Sequence, residues 1–122
     1  MTEFWYLSTP YSKYYAGLDA AYRMACEQMA LCIKSNIRVF SPVAHTHGAA
    51  IFGGIDPLDH NIWLPADEPM MDSACGVIVV KAIGWQESIG IAHEVALFRR
   101  AGKPVIYMAV GRPPIAEVLG AE

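Results

Sequence analysis

Gly76 to Ile83, GVIVVKAI, is the stretch that most constrains the fold. It is almost wholly apolar, rich in β-branched residues and without polar alternation. A strand of that kind is covered on both faces, as in the middle of a parallel sheet. The segments around it repeat the theme. Phe4 to Ser8 is an aromatic and aliphatic run closed by Thr9-Pro10, Ile37 to Ser41 is a second short run closed by Pro42, and Pro104 to Ala109 is another.

Between these runs the period changes. From about Tyr14 to Ser35, Leu18, Tyr22, Ala25, Met29, Cys32 and Ile33 recur at three and four residues while Asp19, Arg23 and Glu27 take the other side, which predicts a long amphipathic helix stopped by Asn36. Further helices are predicted over Ala66 to Cys75, with Pro69 in its first turn, over Ser88 to Ala101, stopped by Gly102, and over Pro113 to Leu119. Pro42 to Pro65 carries several glycines and prolines and reads as irregular, with one helical turn at Ala49 to Phe52, the kind of long segment that serves as a lid.

Strands joined by helix-length connections predict one α/β domain over residues 1–122. The expected architecture is a doubly wound, Rossmann-like or flavodoxin-like parallel sheet of about four to five strands with helices on both faces. In the common order 2-1-3-4, ligands bind beyond the carboxyl ends of the strands where the order reverses, which singles out Ser8 to Tyr11 and Gly84 to Ser88.

Composition narrows the partners. The 9 Lys and Arg are scattered and the formal charge is −3, so no basic stripe favours nucleic acid, and a small molecule fits better. No apolar run approaches the roughly 18 residues of a membrane span, and the start MTEFWYLSTPY is acidic where a signal peptide is basic, so a cytoplasmic protein is expected. With 54% hydrophobic and only 17% charged residues, a homo-oligomer, dimer or tetramer, is expected as well. The odd number of cysteines, Cys26, Cys32 and Cys75, lacks CxxC spacing and reads as buried thiols.

Glu94 is the leading candidate for chemistry. A capping-box acid after Ser88 belongs at Ile91, so capping does not account for it. It shares a helix face with Gly90, Leu97 and Ala101, an apolar surface with room for a ligand, although most helical glutamates are solvated. His45 and His47 form an HxH pair that on a strand would turn two imidazoles to one side, and His60 and His93 are also available. No third ligand stands at confirming spacing, so neither metal nor cofactor is expected.

The run GWQESIGIAHEVALFRRAGKPVIY, Gly84 to Tyr107, together with FWYLSTPYS, Phe4 to Ser12, resembles the nucleoside 2-deoxyribosyltransferase-like family, and Gly84-Trp85 ahead of Ser88 resembles a bacterial subgroup of uncharacterised small domains within it. The matching positions are Ser88, Gly90, Glu94 and the turn Gly102-Lys103-Pro104, with Ser8-Thr9-Pro10 where relatives carry a small residue and glycine. The resemblance implies cleavage or exchange of an N-glycosidic bond in a nucleoside or nucleoside 5′-monophosphate. It implies Glu94 as nucleophile and a second acid at Asp67 or Asp72, Asp67 being closer to the family's spacing. Tyr6, at the sheet edge, would orient Glu94. Ser8, Thr9, Pro10, Tyr11, Trp85, Ser88 and Gly90 would bind substrate, with Tyr11 and Trp85 sandwiching the base. It also implies that Gly111 to Glu122 completes a neighbour's site. Gln86 and Glu87 beside Ser88 suggest a wet mouth and favour hydrolysis over transfer. A binding or sensing domain without turnover is the alternative from another class. A phosphoribohydrolase of the lysine decarboxylase-like group would need a PGGxGTxxE motif that is absent.

Overall fold

The computed structural model describes residues 2–121, so Met1 and Glu122, the ends of the expected domain and of the proposed donor segment, lie outside the described residues. The order is β1 (Trp5–Ser8), α1 (Leu18–Lys34), β2 (Val39–Phe40), α2 (Pro42–Gly53), α3 (His60–Ser73), β3 (Gly76–Val80), a short 3-10 turn (Trp85–Glu87), α4 (Ile89–Arg100), β4 (Val105–Met108) and α5 (Ile115–Ala121). The four strands pair in parallel in the order β2-β1-β3-β4. This is the expected doubly wound arrangement, and its reversal of order falls between β1 and β3.

The period-2 alternation of the strands sorts their side chains into two cores. Trp5 and Leu7, Ile78 and Val80, and Ile106 and Met108 face one side with Met24 and Cys32 of α1 and Val118 of α5. Tyr6, Val77 and Val79 face the other with Met71 of α3 and Ile91 and Phe98 of α4. Every residue of β3 is buried, as its unbroken apolar run requires. Gly76 opens that strand because nothing larger fits: a Cβ there would lie 2.5 Å from the Trp5 ring and 2.7 Å from the Pro104 carbonyl oxygen. Cys32 is buried, while Cys26 and Cys75 are half-buried.

Two expectations are corrected. The segment predicted to be irregular is largely helical: Ser41 caps α2 by accepting from the Ala44 N–H at 3.1 Å, and Pro42 occupies the first turn, where its missing N–H costs nothing. The helix was hidden because Gly48 and the mixed residues around it show no apolar stripe. Likewise α3 starts at His60, not Ala66, with Asp59 as cap, and holds both Pro65 and Pro69 in its interior. The two prolines are four residues apart and exposed, so one solvent-facing side of the helix loses its bonds where water can replace them. The strands are also shorter than predicted: β3 ends at Val80 and β2 is confined to Val39–Phe40.

Candidate active site

Tyr6 and Ser8 lie on the same side of β1, the side covered by α3 and α4, and this places both below Glu94. Tyr6 is not at a sheet edge as expected. It sits on an inner strand, opposite Phe40 and Val77, fully buried. Gly84, in the left-handed region at φ 83°, turns the chain after β3 into the short Trp85–Glu87 turn. Ser88 then starts α4 by accepting from the Ile91 N–H at 3.2 Å. Six residues on, Glu94 meets the end of β1, and the buried Ser8 hydroxyl donates to its Oε1.

Glu94, Thr9, Tyr11, Ser88, Gly90 and Asp67 line one cavity of about 370 Å³. Its remaining wall comes from the segment after β2: Pro42, Val43 and Thr46 of α2, Pro57 and Leu58 of the following loop, and His60, Trp63 and Leu64 of α3. The segment expected as a lid therefore lines this cavity with residues of two helices. His93 and Ser12 also reach the wall. Trp63 is the large aromatic that the motif reading missed. Its indole N–H donates to the Asp56 carbonyl at 2.8 Å, which holds the side chain at the cavity wall. The only sequence signal was Asp59, a good N-cap ahead of it.

Burial controls the two acids. It raises Glu94 to about 7, against the opposing hydrogen bond from Ser8 and the influence of the Tyr6 hydroxyl, while the negative charge of Asp67 adds to the rise. Burial likewise raises Asp67 to about 6, with His45 pulling the other way. Tyr6 is pushed far up, first by burial and then by the charges of Glu94 and Asp67, so it remains a neutral phenol. Its hydroxyl forms no well-directed hydrogen bond, yet it lies close enough to Glu94 to favour the charged carboxylate.

Several expected residues stand elsewhere. Trp85 is not among the residues lining this cavity; its ring lies 5.5 Å from that of Tyr107 and packs against the α3–α4 core, so no Tyr11–Trp85 sandwich forms. Pro10 faces a neighbouring cavity of about 330 Å³ that also touches Tyr11 and Ser88. Asp72 is exposed and borders a separate cavity with Leu97 and Ala101, and its backbone carbonyl accepts from Lys103 Nζ at 2.6 Å. Of the two candidate second acids, only Asp67 shares the Glu94 cavity. The HxH pair is on a helix, where residues two apart point to different sides. His45 is exposed beside Phe40, while His47 is buried and stacks on Tyr22 with ring centres 4.5 Å apart. Among the described residues no group of three or more His, Cys, Asp or Glu is placed to hold a metal ion. No helix among them is long and apolar enough to cross a membrane.

The family model for a domain of unknown function, DUF1937, matches residues 3–110, from the start of the sheet to the turn after β4. No curated protein matches the chain.

Proposed function

We propose that this chain, which belongs to the DUF1937 family of domains of unknown function, cleaves the N-glycosidic bond of a nucleoside or nucleoside 5′-monophosphate, with Glu94 as the nucleophile. The observation that carries the reading is the pairing of Glu94 and Asp67 in one cavity, both raised by burial and only Glu94 held by a buried hydroxyl. Because burial raises Glu94 further than Asp67, the reactive form, with Glu94 ionised and Asp67 protonated, is the minor of the two singly protonated forms of the pair.

As the C1′–N bond breaks, the sugar gains oxocarbenium character, and the ionised Glu94 carboxylate captures C1′ as a glycosyl ester. Asp67 in its protonated form donates to the departing base, so the bond's electron pair leaves on a neutral purine or pyrimidine. Ser8 holds the attacking carboxylate in place. Trp63, Leu58 and Leu64 offer the base an apolar wall, and Thr9, Tyr11 and Ser88 supply polar groups for the sugar.

The test is a panel of the common 2′-deoxynucleosides, ribonucleosides and their 5′-monophosphates, with free base followed by chromatography. Release by the wild-type protein and its loss in Glu94→Gln is the expected result. Binding of a panel member with no release would replace the enzyme reading by that of a nucleotide-binding domain.

A further inference from the structure

Outside the two acids, a second chain of polar groups runs from the cavity wall to solvent. The Tyr11 hydroxyl lies 2.7 Å from His47 Nδ1, and His47 Nε2 lies 3.2 Å from Asp19 Oδ1. Tyr11 lines the same cavity as Glu94, His47 is buried, and the Asp19 side chain is 97% exposed. The three residues come from the loop after β1, the first turn of α1 and the middle of α2, so only the packing of α2 on α1 assembles them. Tyr22 stacks on the imidazole and Tyr11 meets it edge-on, which leaves the ring one orientation.

The carboxylate decides where the protons are. Asp19 can only accept, so Nε2 carries the hydrogen, and in the neutral imidazole Nδ1 is then an acceptor. The single hydrogen of Tyr11 is therefore committed to His47. Anything in the cavity that meets the Tyr11 oxygen must donate to it. Burial, and secondarily the charge of Asp19, raise Tyr11 above the ordinary phenol range, so it stays neutral and able to pass a proton on.

We infer that Tyr11, with His47 and Asp19 behind it, is the base that activates water for release of the sugar from Glu94, which makes the protein a hydrolase. This rests on the glycosidic reading above. In the step, a water O–H bond breaks and its proton passes to the Tyr11 oxygen as the proton of Tyr11 moves to His47 Nδ1. The water oxygen bonds to C1′, the C1′–O bond to Glu94 breaks, and its electron pair returns to the carboxylate. The resulting imidazolium is paired with Asp19, through whose exposed side the extra proton reaches solvent. Tyr11 touches the water; His47 and Asp19 are positioning residues, in the logic by which a carboxylate fixes the tautomer of a catalytic histidine. Exchange to a second base does not need the relay, because the incoming base returns its proton to Asp67 by reversal of the first step.

The experiment follows rapid-quench base release, free-sugar release and exchange with added adenine for the wild-type protein and Tyr11→Phe, using the panel member that the wild type cleaves. The phenylalanine keeps the ring contact with His47. The expected result is that Tyr11→Phe still accumulates a glycosylated protein by intact mass and loses free-sugar release on the order of 10²-fold more than it loses exchange. Asp19→Asn, a change at an exposed position, should lower sugar release in the same direction with exchange preserved. Unchanged sugar release in Tyr11→Phe, or equal loss of base release, exchange and hydrolysis, overturns the relay while leaving Glu94 as nucleophile. No base release by the wild type from the whole panel overturns the glycosidic reading itself, and the relay with it.

Discussion

The Ser8 hydroxyl donates to the Glu94 carboxylate across 86 positions of sequence, joining the end of the first strand to the middle of α4. Ser8 is fully buried, so the bond is made away from competing water and favours the charged acid. The hydroxyl gives the strand a direct hold on the acid.

Glu94→Gln should lower base release by at least about 10³-fold, since an amide is no nucleophile, without unfolding the protein. The stability effect has a sign of its own. The folded protein raises Glu94 from its ordinary value near 4.5 to about 7, so between these values the folded state holds a proton that the unfolded chain has released, and stability falls as pH rises. Glu94→Gln removes that penalty. Its melting temperature should match the wild type at pH 4.5 and exceed it at pH 8, by up to about 3 kcal/mol of stability. A large loss of melting temperature at both pH values would mark Glu94 as a structural residue.

The pH dependence of kcat/KM should be bell-shaped with its maximum between 6 and 7, because the productive form has Glu94 ionised and Asp67 protonated. The two limbs belong to the pair as a whole. Ser8→Ala removes the larger of the two hydroxyl influences that favour the Glu94 carboxylate, so it should lower the maximum and move the basic limb to higher pH. Tyr6→Phe should move it the same way by less. Identical profiles in all three proteins would disconnect Glu94 from the rate.

Asp67→Asn should cost about 10²–10⁴-fold with ordinary bases and less with a leaving group that departs without a proton. Asp72→Asn, whose side chain borders another cavity, should retain activity close to wild type. Measuring both on one substrate distinguishes the acids, and the reverse order would transfer the role to Asp72.

Gly76→Ala should destabilise the domain by about 1–3 kcal/mol. The added methyl meets the Pro104 backbone carbonyl as well as the Trp5 ring, so side-chain rotation alone cannot relieve it. Chemical denaturation checks the value; a loss below a few tenths of a kcal/mol would mean that β3 and β4 can part without cost.

Light scattering at micromolar concentration should report a dimer or tetramer. Phe52 is 93% exposed at the end of α2, with Ile51 beside it, and α5 buries Val118 against its own sheet while leaving Ile115 and Leu119 outward. Phe52→Ser should shift the distribution toward monomer if α2 lies in the interface. A monomeric wild type would remove the proposal that Gly111 to Glu122 completes a neighbouring site.

The sequence by itself determined the sheet, and it marked Glu94 as the candidate acid. GVIVVKAI cannot be satisfied except under cover on both faces, the long helical period of α1 has one reading, and their alternation leaves little but a parallel sheet. Glu94 stood out because capping did not explain it and because its position matches the family that the sequence resembles. Those are local signals, carried by neighbours in the chain. The helix α2, the early start of α3 and the wall around Trp63 lacked an apolar stripe of their own, because their faces are set by what packs on them. Asp67 and Asp72 were close in sequence and alike in chemistry. Their five-residue separation on α3 points them to different sides, and only the docked helix decides which one meets Glu94. The same holds for His47, read as half of an HxH pair: its partners Tyr11 and Asp19 come from distant segments, and burial between two packed helices, which no local pattern encodes, made it a link between cavity and solvent.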